Sequence, residues 1–180
     1  MEAILTLDGN ILLFIQNHIR NPLLTPFMKA ITHLGDHGMF WIALTLILLC
    51  FRKTRKIGLC ALFALLGSYV IDNLILKNLV NRIRPYEVVE GLQLIVAKAK
   101  DASFPSGHTG TGIATALAVA LNVPKKYGIP LMILAVVISL SRLYVGIHYP
   151  TDVLAGAVIG ILLGLFGSWA GRKVSEARGI

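Results

Sequence analysis

Long apolar segments constrain this chain more than any other feature. Runs of mainly apolar residues occupy 38–51, 57–76, 109–122, 127–145 and 153–170. A straight helix needs about 20 such residues to cross a bilayer, with about 17 as a lower bound. The second, fourth and fifth runs reach this length, whereas the first must extend back into 31–37 and the third must begin near Ser106. The pattern predicts an all-α integral membrane helical bundle.

Composition supports one membrane domain over residues 1–180. Hydrophobic residues make up 56% of the chain and charged residues only 14%, where a soluble domain carries about 25% charged residues. The net charge of +8 is explained either by cytoplasmic loops or by a cationic site for an anionic substrate. Nucleic-acid binding is disfavoured because long apolar segments separate the basic residues.

The N-terminal segment 1–20 is ambiguous. Apolar residues from Ile4 to Ile19 follow helical spacing, but Asp8 and Asn10 interrupt them. This indicates an amphipathic helix, which either lies in the membrane interface or forms a short sixth membrane helix. We therefore expect five or six membrane helices.

The distribution of basic residues predicts the orientation. Basic residues are concentrated at 52–56, 125–126 and 172–178, and short basic loops stay in the cytoplasm. The segments 77–106 and 146–151 then share the extracytoplasmic side of a multi-pass protein of the cell membrane. The first of these is also basic, which the orientation rule does not explain, and this suggests that its charges are functional.

A pair of cations forms the first polar cluster. Lys77 and Arg84 are seven residues apart, which is two helical turns and predicts one helix face. Pro85 disfavours helix at Arg84 and is expected to end the segment. The segment would thus present two cations at a membrane surface.

The second cluster, Phe104-Pro105-Ser106-Gly107-His108, directly precedes an apolar helix. Ser106 is a plausible N-cap, and Gly107 allows a ligand to approach the backbone closely. A helix N-terminus with a free hydroxyl is a ready anion site. His108 would lie beside it in the first turn.

The third cluster is Ser141-Arg142-x5-His148-x3-Asp152. Arg142 ends one apolar run, and Pro150 suits the first position of the next helix. Asp152 lies one turn beyond His148, close enough to bond its ring. That bond would fix the tautomer and leave the other ring nitrogen as a neutral nucleophile.

Together the clusters read K-x6-R-P, P-S-G-H and S-R-x5-H-x3-D over residues 77–152. This resembles the three-part signature of the type 2 phosphatidic acid phosphatase family, which shares its site with vanadium haloperoxidases. Every signature position is matched, in order. The apolar helices resemble the membrane branch of that family.

The resemblance implies a role for each signature residue. His148 would attack phosphorus to form a phosphohistidine, Asp152 would orient and charge it, and His108 would protonate the leaving oxygen and then activate water. The phosphoryl oxygens would be held by five residues: Lys77, Arg84, Ser106, Gly107 and Arg142. The resemblance implies no metal and no cofactor.

The implied partners are the bilayer and a lipid phosphate. An isoprenoid diphosphate, with undecaprenyl diphosphate first, is the expected substrate, and phosphatidylglycerophosphate or phosphatidate is the alternative. A phosphotransferase, in which a lipid alcohol replaces water, would use the same residues. An anion transporter is the non-enzyme alternative, but it does not explain why a histidine–aspartate pair accompanies a second histidine. The oligomeric state stays open.

Two further features allow more than one interpretation. His33, Asp36 and His37 have metal-like spacing, but polar residues before a short span more often mark the membrane interface. Asp72 lies inside an apolar run, where a carboxylate usually has a partner. That partner could be a site cation, Arg142 or Lys77, or a neighbouring helix.

Overall fold

The computed structural model describes residues 2–179 as helices and connecting segments, without strands in that range. In chain order the helices are α1 (Glu2–Phe14), α2 (Leu24–Leu34), α3 (Met39–Cys50), α4 (Arg55–Ser68), α5 (Lys77–Val80), α6 (Pro85–Val88), α7 (Gly107–Ala120), α8 (Lys125–Tyr144) and α9 (Pro150–Ala177). Wider π-helical turns continue α1 over Ile15–Ile19 and join α4 to α5 over Tyr69–Leu76. A short 3-10 turn, Asp36–Gly38, links α2 to α3. The all-α prediction is confirmed.

Helix α7 lies at the centre of the bundle and packs against α4, α8 and α9. Small residues explain the close packing. Gly156, Gly160 and Gly164 on α9 face α7, and a Cβ added at any of them would lie 2.8–2.9 Å from a backbone oxygen at or beside α7. Backbones can approach this closely only where side chains are absent. These three glycines therefore allow α9 to pack directly against α7.

The number of membrane spans differs from the expectation. Among residues 2–179, Arg55–Val88, Lys125–Tyr144 and Pro150–Ala177 are long and apolar enough to cross. Leu24–Leu34 and Asp36–Cys50, bent by 45°, add a fourth if they cross as one broken span. Helix α7 has 14 residues, about 21 Å at 1.5 Å per residue, and is enclosed by its neighbours. The predicted count of five or six is therefore not confirmed.

Helix α1 turns one side towards the bundle and exposes apolar residues on the other. Asp8 and Leu12 are buried, whereas Ile4, Leu7 and Phe14 are exposed on the outer face. An apolar outer face suits contact with lipid. Helix α1 is not among the candidate spans, so the alternative of a sixth span gains no support.

Buried charges tie α1 to the rest of the bundle. Arg82 donates from Nη2 to Asp8 Oδ2 at 2.8 Å and from Nη1 to Asp152 Oδ1 at 2.6 Å. The backbone N–H of Thr151 donates to the other oxygen of Asp8 at 3.1 Å. Asp8 thus compensates the charge of Arg82. Arg82 in turn links Asp8 to Asp152, which the sequence analysis assigned to the site.

The prediction that Lys77 and Arg84 lie on one face of a helix is wrong. Helix α5 ends at Val80, and Asn81 adopts a left-handed conformation with φ 45°. This residue closes the helix as a left-handed C-terminal residue does, so Arg84 lies on extended backbone before Pro85. The two cations converge because the chain turns at Asn81. They do not lie two turns apart on one helix.

We predict that Asp8→Asn lowers the free energy of unfolding by about 3 kcal/mol, the lower end of the cost of breaking a buried ion pair. Arg82 keeps Asp152 as a partner, which limits the loss. The matched control is Glu176→Gln in the exposed Lys173–Glu176 pair, which should stay within about 1 kcal/mol of wild type. Reversible unfolding in mixed micelles measures both. Equal losses in the two variants would contradict the structural role of Asp8.

Candidate active site

A cavity of about 810 Å³ lies where the three sequence clusters meet. Six of the eight predicted site residues line it: Lys77, Arg84, Gly107, His108, Arg142 and His148. The other two, Ser106 and Asp152, lie behind the wall with no exposed surface. The fold thus brings segments separated by up to 75 positions of sequence into one site.

His148 lies in the short connection between α8 and α9, with 2% of its surface exposed. Its Nδ1 is 3.4 Å from Asp152 Oδ2, and Arg84 Nη1 is 3.1 Å from its Nε2. A guanidinium has no acceptor, so Nε2 must accept this bond and Nδ1 must carry the proton. Burial, together with Arg84 and Arg142, lowers the pKa of His148 far enough to keep the ring neutral at pH 7, against the opposing effect of Asp152.

Asp152 is fixed from several directions at the third position of α9. Pro150 begins this helix, as predicted, and the backbone N–H of Tyr149 donates to Asp152 Oδ2 at 3.0 Å, as in a capping box. The hydroxyl of Ser103 donates to the same oxygen, and Arg82 binds the other. A carboxylate held this way cannot rotate freely, so it orients His148. Ser103 and Arg82 carried no sequence signal for this role.

An acidic residue joins the two cations of the first cluster. Lys77 Nζ donates to one oxygen of Asp101, and Arg84 Nη2 donates to the other at 2.7 Å. Burial raises the pKa of the Asp101 carboxyl, but the bonds from Lys77 and Arg84 outweigh it and lower the pKa to about 2. Asp101 is therefore a charged counter-ion in the cavity. Sequence reasoning missed it, although it lies only five residues before Ser106.

The positive charge of Arg142 has less compensation than the charges of Lys77 and Arg84. It lies in the last turn of α8, is 6% exposed, and donates from Nη1 to the hydroxyl of Thr32. Its Nε has no hydrogen-bond partner, and it has no acidic partner within 4 Å, among residues 2–179. A buried charge is stable only with compensation. An anion in the cavity would provide it.

The second cluster begins α7 as expected, with one difference. Ser106 takes the N-cap position, but its hydroxyl is fully buried and accepts a bond from Thr109 Oγ1 at 3.1 Å. Gly107 lines the cavity, and a Cβ there would lie 3.0 Å from Asn73 Oδ1. The missing side chain keeps the N-terminus of α7 accessible, where free N–H groups favour an anion.

His108 contacts a carboxylate from a different part of the chain. Its Nε2 is 3.0 Å from Asp36 Oδ1, and the other oxygen of Asp36 is 2.8 Å from His33 Nδ1. Among residues 2–179, no group of three or more His, Cys, Asp or Glu side chains is arranged to hold a metal ion. The metal-like spacing of His33, Asp36 and His37 therefore does not correspond to such a group. Instead, Asp36 is hydrogen-bonded to both His33 and His108.

Asp72 has a partner that the sequence interpretation did not name. It is buried in the π-helical segment and accepts a bond from Ser68 Oγ, in the preceding turn, at 2.6 Å. It forms no ion pair with Lys77 or Arg142. A Cβ at Gly110 would lie 2.0 Å from its Oδ2, so this glycine makes room for the carboxylate.

The cavity also has an apolar wall. Ile42 on α3, Leu65 and Leu66 on α4, and Tyr69 just beyond line it. Leu66 and Tyr69 are each about half exposed on the outer surface of the bundle. An outer surface rich in large apolar side chains faces lipid in a membrane protein. The polar centre therefore adjoins a lipid-facing surface.

Comparison with solved structures agrees with this architecture. The crystal structure of a transmembrane PAP2-type phosphatidylglycerolphosphate phosphatase from Bacillus subtilis superimposes with a TM-score of 0.80 at 29% identity. The alignment covers 97% of this chain and 89% of that one.

Sequence comparison identifies the family. A family model described as "PAP2 superfamily" matches residues 57–175. An undecaprenyl-diphosphatase from Sulfolobus acidocaldarius is 38% identical over 67% of this chain and 58% of its own length. The undecaprenyl-diphosphatase BcrC of Bacillus subtilis is 33% identical over 80% of this chain and 73% of its own length. Because the family match covers more than half of the chain and agrees with the fold, the chain belongs to the PAP2 superfamily and is a multi-pass membrane protein.

Proposed function

We propose that this protein is a lipid phosphatase that transfers a phosphoryl group to His148 and then to water, without a metal. The observation that carries the proposal is the unprotonated Nε2 of a buried, neutral His148 beside buried cations at a cavity. A neutral imidazole is a nucleophile, and positive groups stabilise the charge on transferring phosphoryl oxygens.

In the first step, Nε2 of His148 forms a bond to phosphorus while the bond from phosphorus to the leaving oxygen breaks. Arg84 must first release Nε2, since it donates to that nitrogen at 3.1 Å when no substrate is bound. The released guanidinium then binds phosphoryl oxygens. The leaving oxygen takes a proton from His108, and Asp152 stabilises the positive charge on His148.

In the second step, water attacks the phosphohistidine. His108, now neutral, takes a proton from that water, and the bond between phosphorus and Nε2 breaks. The electron pair returns to Nε2, and inorganic phosphate leaves. Lys77, Arg142 and the Gly107 N–H bind the phosphoryl oxygens in both steps, while Ser106 supports the loop from behind the wall.

The apolar wall supports a lipid as the substrate. A phosphate bound near His148 would place its lipid chain along Leu66 and Tyr69, which reach the outer surface. Undecaprenyl diphosphate is the first candidate, because two relatives are undecaprenyl-diphosphatases. Phosphatidylglycerophosphate is the alternative, favoured by the structural relative. Transfer to a lipid alcohol would use the same residues.

The site is proposed to face the extracytoplasmic side of the cell membrane. Short basic segments at 52–56 and 125–126 lie at the opposite ends of the helices from the cavity residues. Such segments are retained in the cytoplasm. A lipid phosphate of the outer leaflet would then have direct access to the cavity.

We predict that purified protein releases phosphate from undecaprenyl diphosphate in excess chelator, and that acid quenching traps a phosphoprotein. His148→Ala should abolish both, because it removes the nucleophile. His18→Ala is the matched control, since His18 is exposed on the π-helical turn after α1. The panel should include phosphatidylglycerophosphate, phosphatidate and a lipid alcohol acceptor. A labelled phosphoprotein in His148→Ala, or activity restored only by a divalent metal, would refute the mechanism.

The orientation is tested by labelling from outside intact cells. In a Cys50→Ser, Cys60→Ala background, Glu90→Cys should react with an impermeant maleimide, because 77–106 is extracytoplasmic. Lys126→Cys should react only after the cells are opened. The reverse pattern would place the cavity in the cytoplasm.

A further inference from the structure

The kink between α2 and α3 places a carboxylate against His108. Asp36 Oδ1 is 3.0 Å from His108 Nε2, although 72 positions separate the two residues. Asp36 lies outside the three clusters and before residue 57, where the family match begins. Like His108, it lines the cavity.

The backbone of the kink is specialised for this contact. Two successive residues, His37 and Gly38, have left-handed conformations with φ 53° and 68°, which a residue other than glycine rarely adopts. Such outliers persist where the surrounding structure requires them, commonly at functional sites. Here the outlier directly follows Asp36.

Gly35 closes one edge of the imidazole. A Cβ at this position would lie 2.7 Å from His108 Cδ2 and 2.9 Å from Ile138 Cγ2. The ring therefore packs its Cδ2–Nε2 edge against Gly35 and Asp36. The opposite edge, which carries Nδ1, is the one left to face the cavity.

The hydrogen bond also decides where the protons are. An ionised carboxylate can only accept, so the bond to Asp36 requires a proton on Nε2. The proton that His108 can give to a leaving oxygen is then the one on Nδ1. After its transfer, the neutral ring keeps Nε2–H on Asp36, and Nδ1 is free to take a proton from water.

We propose, on the basis of the phosphatase function above, that Asp36 is the positioning residue of His108. It holds Nε2–H, directs Nδ1 at the leaving oxygen, and stabilises the protonated ring. Each histidine of the site then has its own carboxylate, with Asp152 serving His148 and Asp36 serving His108.

The charges around His108 define the expected pH effect. Burial lowers the pKa of His108 most strongly, the bond to Asp36 raises it, and Arg142 and Lys77 lower it. His33 lies on the far side of Asp36. Neutralising Asp36 makes the ring harder to protonate. The first step requires protonated His108. The rate of that step should therefore begin to decline at a lower pH in Asp36→Asn than in wild type.

The test is single-turnover kinetics of the first step. Asp36→Asn should slow cleavage of phosphatidate, whose alkoxide leaving group needs a proton, by about 10- to 100-fold, part of the contribution of a positioned general acid. Cleavage of p-nitrophenyl phosphate should change little, because its leaving group needs little protonation. Glu87→Gln, an exposed carboxylate-to-amide change, is the matched control and should match wild type.

A double variant separates positioning from a structural role. If Asp36 acts through His108, Asp36→Asn should cause no further slowing in a His108→Ala background. Further slowing in the double variant would overturn the proposal. So would equal slowing of both substrates by Asp36→Asn, or an Asp36→Asn variant as active as Glu87→Gln. A wild-type protein without phosphatase activity would instead refute the proposed function.

Nitrogen-15 NMR of histidine in the wild-type protein gives a second test that needs no variant. At a pH where the ring is neutral, His108 should carry its proton on Nε2. A proton on Nδ1 would show that Asp36 does not hold the ring, even if Asp36→Asn could not be recovered folded.

Discussion

The burial of positive charge is the constraint on which the rest of this structure depends. Lys77, Arg84 and Arg142 are each less than 10% exposed and line one cavity. Desolvation of a charge costs several kcal/mol unless partners compensate it. Lys77 and Arg84 share one carboxylate, that of Asp101, and Arg142 has a hydroxyl partner. The cavity therefore has fewer negative than positive charges, and a phosphate group would correct the balance.

The fold supplies this arrangement through close helix contacts and precise helix ends. Glycines on α9 bring it against α7, and the N–H of Ser106 donates to the carbonyl of Asp152 at 3.1 Å. The start of α7 thus lies beside the start of α9. Pro150 begins α9 two residues after His148, so Asp152 in the first turn of α9 lies within reach of the His148 ring that precedes the helix. A shift of either helix would separate the two histidines from the cations.

Local sequence patterns predicted much of this site. The spacing of His148 and Asp152 gave their contact, and the Ser106-Gly107 pair gave the start of α7, because both depend on one helical turn. Helical spacing also predicted a helix in the N-terminal segment, where α1 forms. It failed for Lys77 and Arg84, since the left-handed turn at Asn81 breaks the helix that the spacing assumed.

The acidic partners could not be predicted in this way. Asp8 meets Arg82, Asp36 meets His108, and Asp101 meets Arg84 through tertiary contacts, at separations of 17 to 74 residues. A carboxylate near a membrane interface has no periodic pattern that identifies a distant cation. The span count also depends on tertiary structure, because α7 is surrounded by protein and need not be long.

A structure with bound orthovanadate tests the central claim most directly, since vanadate can adopt the five-coordinate geometry of phosphoryl transfer. The account predicts a bond from vanadium to His148 Nε2 and an apical oxygen within hydrogen-bond distance of His108 Nδ1. Arg84 should leave Nε2 to bind vanadate oxygens, and Asp101 should separate from Lys77 and Arg84. Vanadate bound away from His148, or held by the cations while Arg84 still donates to Nε2, would contradict the account.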